Sequence, residues 1–170
     1  MALDRGARLV VGFEPAPENI ESYRRNFKDE IAAGRVVLVP KGVWDKDDLL
    51  VLRRDPTNSA ADSFLMLKNE AGEVKAPLTT IDEAVAELKL ERVDYVKMDI
   101  EGAEIRALTG ARATLAKYHP RLSIAAEHLP TDAVRIPEVV KAAWPGYAAT
   151  CGPCVETDDG HVRPDVIYFR

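Results

Sequence analysis

Hydrophobic residues along the chain alternate between short continuous runs and stretches with helical spacing. Continuous runs of four to eight apolar residues predict strands buried on both faces, as in a parallel sheet. The strands predicted in this way are residues 8–13, 36–43, 93–98 and 121–126. Stretches whose apolar residues recur every three or four positions predict helices packed against that sheet. The predicted helices are residues 16–34, a short helix from Thr80, 102–118 and 137–144.

Two of these helices have clear starting signals. Proline and an acid in Ala16-Pro17-Glu18 suit a first helical turn, and Gly34 is a suitable stop. The segment Thr80-Ile81-Asp82-Glu83 has the spacing of a capping box. The apolar residues of the first helix predict a stripe that faces the core: they are Ile20, Tyr23, Phe27 and Ile31.

Two regions depart from the alternation of strands and helices. In the middle of the chain, at about residues 45–78, short strand-like runs separated by turn residues predict a small antiparallel insertion. These runs are residues 49–52, 64–67 and 74–78. Near the end of the chain, residues 147–150 and 165–169 predict an antiparallel pair. The order of elements is that of an α/β protein with a mixed sheet, and residues 1–170 are expected to form a single domain.

Composition and charge exclude some classes of function. The net charge is −5, with 23 basic and 28 acidic residues mixed along the chain, and a nucleic-acid-binding protein would need a basic stripe. No run approaches the roughly 18 apolar residues of a membrane helix, and the first residues lack the apolar core of a signal peptide. Two cysteines provide no disulfide framework, so a cytoplasmic location is expected.

One segment combines a strand with charged residues. Residues 93–98 are predicted as a strand, yet Lys97, Asp99, Glu101 and Glu104 fall within or just after it. Charges are rarely buried unless they are paired or functional, and open α/β sheets bind ligands at the carboxyl ends of their strands. The segment therefore predicts a site with Asp99 and Lys97 as catalytic candidates. The structural alternative is an internal Lys97–Asp99 pair followed by two acids in a first helical turn.

The next predicted strand ends in Glu127-His128. His128 can share a crevice with Asp99, where a histidine with a pKa near neutrality would serve as a general base for a hydroxyl acceptor. The alternative is an ordinary polar residue that ends a strand.

The pair Cys151 and Cys154 has the spacing of a redox motif. It precedes a turn rather than a helix, so we expect two free thiols in a hairpin. A zinc ion would need four ligands, and only His161 or nearby aspartates are at hand to complete them. No metal site is therefore predicted.

Several short motifs occur together in this chain. They are Phe13-Glu14-Pro15 with Asn19 and Asn26, Thr79-Thr80-Ile81-Asp82-Glu83, Val96-Lys97-Met98-Asp99-Ile100-Glu101-Gly102-Ala103-Glu104, and Leu108, Gly110 and Leu115. Their combination closely resembles the FkbM family of S-adenosylmethionine-dependent methyltransferases. The resemblance covers about residues 7–128 and extends more loosely to the C-terminus.

The resemblance implies a class I methyltransferase fold, which is a Rossmann-like mixed sheet with flanking helices and a terminal antiparallel strand pair. It implies that Glu14 binds the ribose hydroxyls of S-adenosylmethionine and that Gly42, Val43 and Trp44 lie by its adenine. Asp99 would face the methionine end or the acceptor, and Glu101 is a further cofactor candidate. The acceptor implied is a hydroxyl group of a small molecule or a sugar.

One expected part of the family pattern is not found in this sequence. The usual first strand and glycine-rich loop should precede Glu14, and residues 1–6 resemble the end of the first helix instead. Three explanations are open: the sequence starts inside a longer gene, the gap in the sheet closes directly or is filled by another chain as in a homodimer, or the cofactor is bound by an unrelated route. The alternatives to an O-methyltransferase are an inactive remnant that serves as an interaction or oligomerisation domain, and half of a nucleotide-binding oxidoreductase.

Overall fold

The computed structural model describes residues 2–53, 73–156, 160 and 162–170. The chain forms two compact units. The first comprises Met1–Gly42 and Asp47–Leu78, and the second comprises Val43–Lys46 and Thr79–Arg170. Among the described residues, none of the helices has both the length and the apolar character needed to cross a membrane.

The first unit contains a parallel pair of strands joined by helices. Strands β1 (Val10–Phe13) and β2 (Val36–Val39) pair from Val10↔Val36 to Phe13↔Val39. Parallel strands need a crossover connection, which is provided here by α1 (Pro17–Asn26) and α2 (Lys28–Ala32). The start at Pro17 agrees with the prediction, but the single predicted helix is interrupted at Phe27, whose backbone is not helical. The four residues of the predicted stripe are half-buried rather than fully buried, and Tyr23 packs against Gly12 of β1.

The first unit also contains the predicted antiparallel insertion. Strands β4 (Leu49–Arg53) and β5 (Glu73–Thr79) pair antiparallel, with Leu49 opposite Pro77. Leu52 and Ala76 are buried and form a small cluster with Ala16. The predicted strand at residues 64–67 lies outside the described residues. The strand predicted for residues 36–43 is two elements, β2 and a short β3 (Gly42–Val43), separated by a tight turn at Pro40-Lys41.

The second unit has a four-stranded mixed sheet. Its order is β6 (Tyr95–Met98), β7 (Arg121–Ala125), β11 (Val166–Phe169) and β8 (Ala149–Cys151). Strands β6 and β7 are parallel, whereas β11 is antiparallel to both of its neighbours. This arrangement confirms the mixed sheet and the terminal antiparallel pair. A separate hairpin, β9 (Cys154–Glu156) with β10 (Val162–Pro164), lies between β8 and β11 in the sequence.

Four helices belong to the second unit: they are α3 (Ile81–Glu87), α4 (Glu104–Thr109), α5 (Arg112–Tyr118) and α6 (Asp132–Ala143). The Thr80–Glu83 capping box that starts α3 is present in full. The single helix predicted for residues 102–118 is wrong, because the chain turns at Gly110-Ala111 between α4 and α5. The helix predicted to begin at Pro137 begins at Asp132 instead. Pro137 lies inside this helix and is not its start signal.

The main core of the second unit lies where α4, α5 and α6 pack on the sheet. Its most deeply buried members are 0–1% exposed: Ala107, Leu108, Leu115, Leu122, Ile124, Ile136, Val140 and Phe169. Apolar burial of this kind supplies the main stabilising term in folding. The core fixes the carboxyl ends of β6 and β7 beside the first turns of α4 and α6.

Candidate functional site

Polar side chains gather at the carboxyl ends of the parallel strands β6 and β7. The strands end next to each other, with Met98 paired to Ile124. Asp99 follows β6 directly, and His128 comes three residues after β7. This is the edge at which open α/β sheets bind ligands. The residues discussed below all belong to the second unit.

The chain makes a tight turn between β6 and α4. Glu101 and Gly102 both have positive φ angles, of 55° and 93°, and Ala103 donates a backbone hydrogen bond to the carbonyl of Ile100. A left-handed conformation is uncommon for a residue with a side chain and is easy for glycine. Gly102 therefore permits the tight turn between the strand and the helix. The turn directs Glu101 toward the site.

Glu104 is the first residue of α4, and its side chain is 0% exposed. Its Oε1 atom accepts a hydrogen bond of 2.8 Å from the Ile100 N–H. The same atom lies 3.1 Å from Nδ1 of His128. Glu104 is therefore more than an acid that complements the first turn of a helix: it is a buried carboxylate in contact with an imidazole.

The imidazole of His128 lies among three carboxylates. Its Nε2 atom is 3.5 Å from Oε2 of Glu101 and 3.7 Å from Oδ1 of Asp99, and its side chain is only 10% exposed. Contact with Glu104 raises the pKa of His128 to about 9, with Glu101 and Asp99 adding to the effect and burial opposing it. The imidazole in this arrangement thus holds a proton at neutral pH. A general base must be unprotonated, so the Asp99 carboxylate is better suited than His128 to accept a proton here.

Asp132 completes the buried side of the cluster. It is the first residue of α6, is 0% exposed, and accepts a hydrogen bond of 2.7 Å from the Leu129 N–H. Burial raises its pKa, and the nearby charge of Glu104 adds to this. Ligand-type atoms of Glu104, His128 and Asp132 all lie within 4.8 Å of one another.

Lys97 and Asp99 form an ion pair at the open side of the site. The Nζ atom of Lys97 lies 3.0 Å from Oδ2 of Asp99, and both side chains are well exposed, at 59% and 47%. The two residues are separated by one position and so lie on the same face of the chain. This is the Lys97–Asp99 pair predicted as the structural alternative, and an exposed pair of this kind adds little stability.

A model of the methyltransferase FkbM domain matches residues 1–160. The chain belongs to the FkbM methyltransferase family. This membership supports a methyltransferase function, and it places the polar cluster in a family whose chemistry is methyl transfer.

The fold of this FkbM-family chain is similar to that of a solved protein. It matches the crystal structure of methyltransferase FkbM from Methylobacillus flagellatus KT with a TM-score of 0.66 and 21% sequence identity. The match covers 96% of this chain and 36% of that one, so the chain spans about a third of that protein's length. The likeness confirms the α/β fold. A comparison with curated protein sequences gives no significant match.

Of the residues assigned to the site from the sequence, the structure of this FkbM-family chain brings Asp99, Glu101 and His128 together, with Lys97 on Asp99. The sequence interpretation missed two members of the cluster, Glu104 and Asp132. Glu104 had been assigned as a first-turn acid, and Asp132 lies before the predicted start of its helix. Each of these two acids lies at the start of a helix. Acids at that position are common and most of them face solvent, so the position alone does not predict a buried site residue.

The cofactor residues implied by the FkbM resemblance stay predictions. Glu14 directly follows β1 in the first unit, and its Oε1 accepts a hydrogen bond of 2.9 Å from the Ala16 N–H at the start of α1. A carboxylate has further lone pairs with which it can accept ribose hydroxyls. Glu14 therefore suits the role while also serving the helix start.

Stacking on the adenine would require the ring of Trp44 to be exposed, but this residue is buried. It is 6% exposed. The guanidinium of Arg106 lies 5.7 Å from the centre of its ring and donates a hydrogen bond of 2.6 Å to Asp45. This arrangement supports the reading of Trp44 as a packed residue, while its neighbours Gly42 and Val43 keep their predicted role by the adenine.

The two cysteines lie apart from the site just described. Cys151 ends β8 and Cys154 begins β9, and both are free thiols exposed to solvent. The prediction of free thiols is confirmed, but the two cysteines are not in one hairpin, because β8 pairs with β11 and β9 pairs with β10. His161, the histidine considered with them, lies outside the described residues.

Proposed function

We propose that this chain is an S-adenosylmethionine-dependent O-methyltransferase that acts on a hydroxyl group of a small molecule or a sugar. The observation that carries the proposal is the polar cluster at the carboxyl ends of β6 and β7 in a chain of the FkbM family. Methyl transfer to oxygen needs a positioned acceptor and a group that takes the hydroxyl proton. The partly exposed carboxylates of Asp99 and Glu101 can hold an acceptor in position and take its proton.

S-adenosylmethionine would supply the electrophilic methyl group. Glu14 would bind its ribose hydroxyls, Gly42 and Val43 would lie by the adenine, and Glu101 is a further cofactor candidate. Asp99 would orient the acceptor and receive its proton, because its carboxylate is 47% exposed. Lys97 would hold the Asp99 carboxylate in place through the 3.0 Å ion pair.

The proposal is tested first by cofactor binding. Calorimetric titration with S-adenosylmethionine, and with its demethylated product, is expected to show binding that Glu14→Ala weakens at least tenfold. Glu18→Ala is the matched control, because Glu18 is an exposed acid in the first turn of α1. Equal losses in both variants would mean that Glu14 only supports the helix. No heat at millimolar ligand would contradict the proposal itself.

Transfer is tested with labelled cofactor and a panel of hydroxyl acceptors, including free and glycosidic sugars. Asp99→Asn keeps the size of the side chain and removes its ability to take a proton, so we expect product formation to fall at least a hundredfold. Cofactor binding should change much less. Label appearing only on carboxyl or amine acceptors would overturn the assignment of oxygen as the nucleophile.

The assembly of the chain is a separate proposal. We expect a homodimer, on the reasoning that a second chain would cover strand edges that a single chain leaves unpaired. Light scattering coupled to size exclusion measures the mass directly, and a monomer across the micromolar range would contradict a dimer.

A further inference from the structure

Three ligand-type atoms converge at the outer side of the polar cluster. Oδ1 of Asp99, Oε2 of Glu101 and Nε2 of His128 all lie within 4.8 Å of one another, with Nε2 at 3.7 Å and 3.5 Å from the two oxygens. Two ligands about 2.1 Å from one ion lie about 3.0–3.5 Å apart at angles of roughly 90–110°. The two distances from Nε2 therefore need to contract by at most a few tenths of an ångström to enclose a divalent cation.

The imidazole is held so that it faces these carboxylates. Its side chain is nine-tenths buried, and Nδ1 lies 3.1 Å from the fully buried carboxylate of Glu104. The direction of this contact is not that of an aligned hydrogen bond, and Nδ1 has no other partner among the described residues. When a cation displaces the proton on Nε2, the proton that stays on Nδ1 faces Glu104, and the freed Nε2 atom lies toward Asp99 and Glu101. A carboxylate behind a histidine is the usual support of a metal-binding imidazole.

Buried carboxylate oxygens behind the imidazole are a second observation that favours an additional positive charge at the cluster. Oε2 of Glu104 and Oδ1 of Asp132 are both buried, and they make no hydrogen bond within the described part of the chain. The buried carboxylates of Glu104 and Asp132 both lie close to the same imidazole, that of His128. A buried carboxylate is costly unless it is paired. A divalent cation that replaces the proton on Nε2 of His128 would add one net positive charge to the cluster and so reduce this cost.

The outer group of atoms is better suited to a cation than the inner one. Glu104 and Asp132 are 0% exposed, so an ion bound between them would have to lose its water entirely. The side chains of Asp99 and Glu101 are 47% and 27% exposed. An ion bound there would keep open positions for water or for a substrate oxygen, as catalytic metal sites do.

We propose that Asp99, Glu101 and His128 bind one divalent cation through Oδ1, Oε2 and Nε2, with Glu104 as the positioning residue for the imidazole. Mixed oxygen and nitrogen ligands suit ions such as Mn²⁺ and Zn²⁺. This differs from the expectation of no metal drawn from the sequence. Lys97 binds the other oxygen of Asp99, so it competes for that carboxylate and opposes the cation electrostatically.

The cation can bind whether or not the chain transfers a methyl group, but a role of the cation in catalysis rests on the proposed function. A bound cation lowers the pKa of an oxygen that it coordinates. A hydroxyl acceptor bound at one of the open positions would therefore lose its proton more readily. With Asp99 held by the cation and by Lys97, that proton would pass to a solvent water molecule.

The test is a titration of the chelator-treated full chain with MnCl2, without cofactor or acceptor. Electron paramagnetic resonance measures free Mn²⁺, and calorimetry gives the stoichiometry. We expect one site per chain, with affinity lowered at least tenfold in Asp99→Asn and in Glu101→Gln. Lys97→Gln should raise the affinity several-fold. Glu138→Gln is the control, since Glu138 is an exposed acid on α6 that pairs with Arg135, and it should leave the affinity unchanged.

Three results would overturn the proposal. They are no binding at millimolar Mn²⁺, binding that survives both Asp99→Asn and Glu101→Gln, and binding lost only in Asp132→Asn, which would place the ion in the inner group. Circular dichroism of each variant ensures that lost binding is not lost folding. Asp99 and Glu101 are exposed enough for their variants to fold even if His128 variants do not. A chain that binds Mn²⁺ but not S-adenosylmethionine would keep the cation site and refute the methyltransferase proposal.

Discussion

The Nδ1 atom of His128 lies 3.1 Å from Oε1 of Glu104, and the two side chains are 10% and 0% exposed. The residues are 24 positions apart and meet because the parallel strands β6 and β7 end side by side. A carboxylate this deeply buried is costly to charge, and a protonated imidazole compensates it. The protonation of His128 and the folding of the chain are therefore coupled.

The coupling predicts that the metal-free chain loses stability as the pH rises. The folded pKa of His128 is raised from 6.5 to about 9, so between these values the folded state binds more protons than the unfolded state. The contribution is fully present below about pH 6.5 and is lost by about pH 9, with a size of at most about 3 kcal/mol. Urea unfolding between pH 6 and pH 9.5, in the presence of a chelator, measures it. Stability that holds constant or rises over this range would contradict the coupling.

The source of the raised pKa is testable in a single variant. Glu104→Gln keeps an acceptor for the Ile100 N–H but removes the negative charge beside Nδ1. We expect the pKa of His128 to fall toward its ordinary value of about 6.5. Titration of the histidine ring protons by nuclear magnetic resonance measures this. Glu138→Gln on the exposed face of α6 is the control, and an equal shift in that variant would show that net charge rather than contact sets the pKa.

The site could be predicted only where local spacing determines the contact. The Lys97–Asp99 pair and the Thr80–Glu83 capping box follow from positions two and three residues apart, and both are present. Glu104 could not be predicted, because an acid at a helix start has the same local pattern whether it faces water or an imidazole. Its burial depends on where β7 ends, which is a tertiary property.

The strands and helices, too, could be predicted only where the local sequence pattern determines them. The mostly apolar runs identified β6 and β7 within two residues of their bounds. Burial on both faces explains this for β7, whereas Tyr95 and Lys97 of β6 are exposed. Helical spacing continued across Gly110 and concealed the break between α4 and α5. At that break Gly110 lies close to the backbone of Trp44, a tertiary contact that no periodicity records.

A long-range cap on α5 gives a stability prediction. Asp82 in α3 accepts hydrogen bonds of 2.9 Å and 2.7 Å from the N–H groups of Ala113 and Thr114. These donors lie in the first turn of α5, where the chain itself leaves N–H groups unpaired. Asp82→Ala should therefore cost about 1–3 kcal/mol, measured by urea unfolding. Glu87→Ala, an exposed change in the same helix, should cost under about 0.5 kcal/mol. Similar losses in both variants would mean that Asp82 does not act as a cap.

The hydroxyl of Tyr147 gives another prediction. It donates a buried hydrogen bond of 2.9 Å to the carbonyl oxygen of Pro120, and burial raises the pKa of Tyr147 to about 12. Tyr147→Phe leaves that carbonyl without its partner, so we expect a loss of about 1–2 kcal/mol in the free energy of unfolding. Tyr168→Phe removes a hydroxyl from an exposed residue of β11 and should change little. If the two variants are equally stable, the buried bond adds nothing.

The turn at Gly110 gives the sharpest steric prediction. Its φ angle is an ordinary −76°, but a Cβ atom there would overlap the carbonyl oxygen of Trp44 and lie 3.1 Å from Cβ of Thr80. The Trp44 backbone cannot easily withdraw, since its N–H donates a 2.9 Å hydrogen bond to the carbonyl of Thr79. Gly110→Ala should thus destabilise the chain by at least about 2 kcal/mol.

The control for Gly110 is Gly34→Ala. Gly34 has a φ angle of +68° and open space around it, so an alanine there meets conformational strain but no overlap. We expect a cost of about 1 kcal/mol from the left-handed backbone alone. Thermal and urea unfolding of the two variants separates the two causes. If Gly110→Ala is no worse than Gly34→Ala, the segment at Trp44 can move away from α4, and close packing is not the reason that the helix breaks at this glycine.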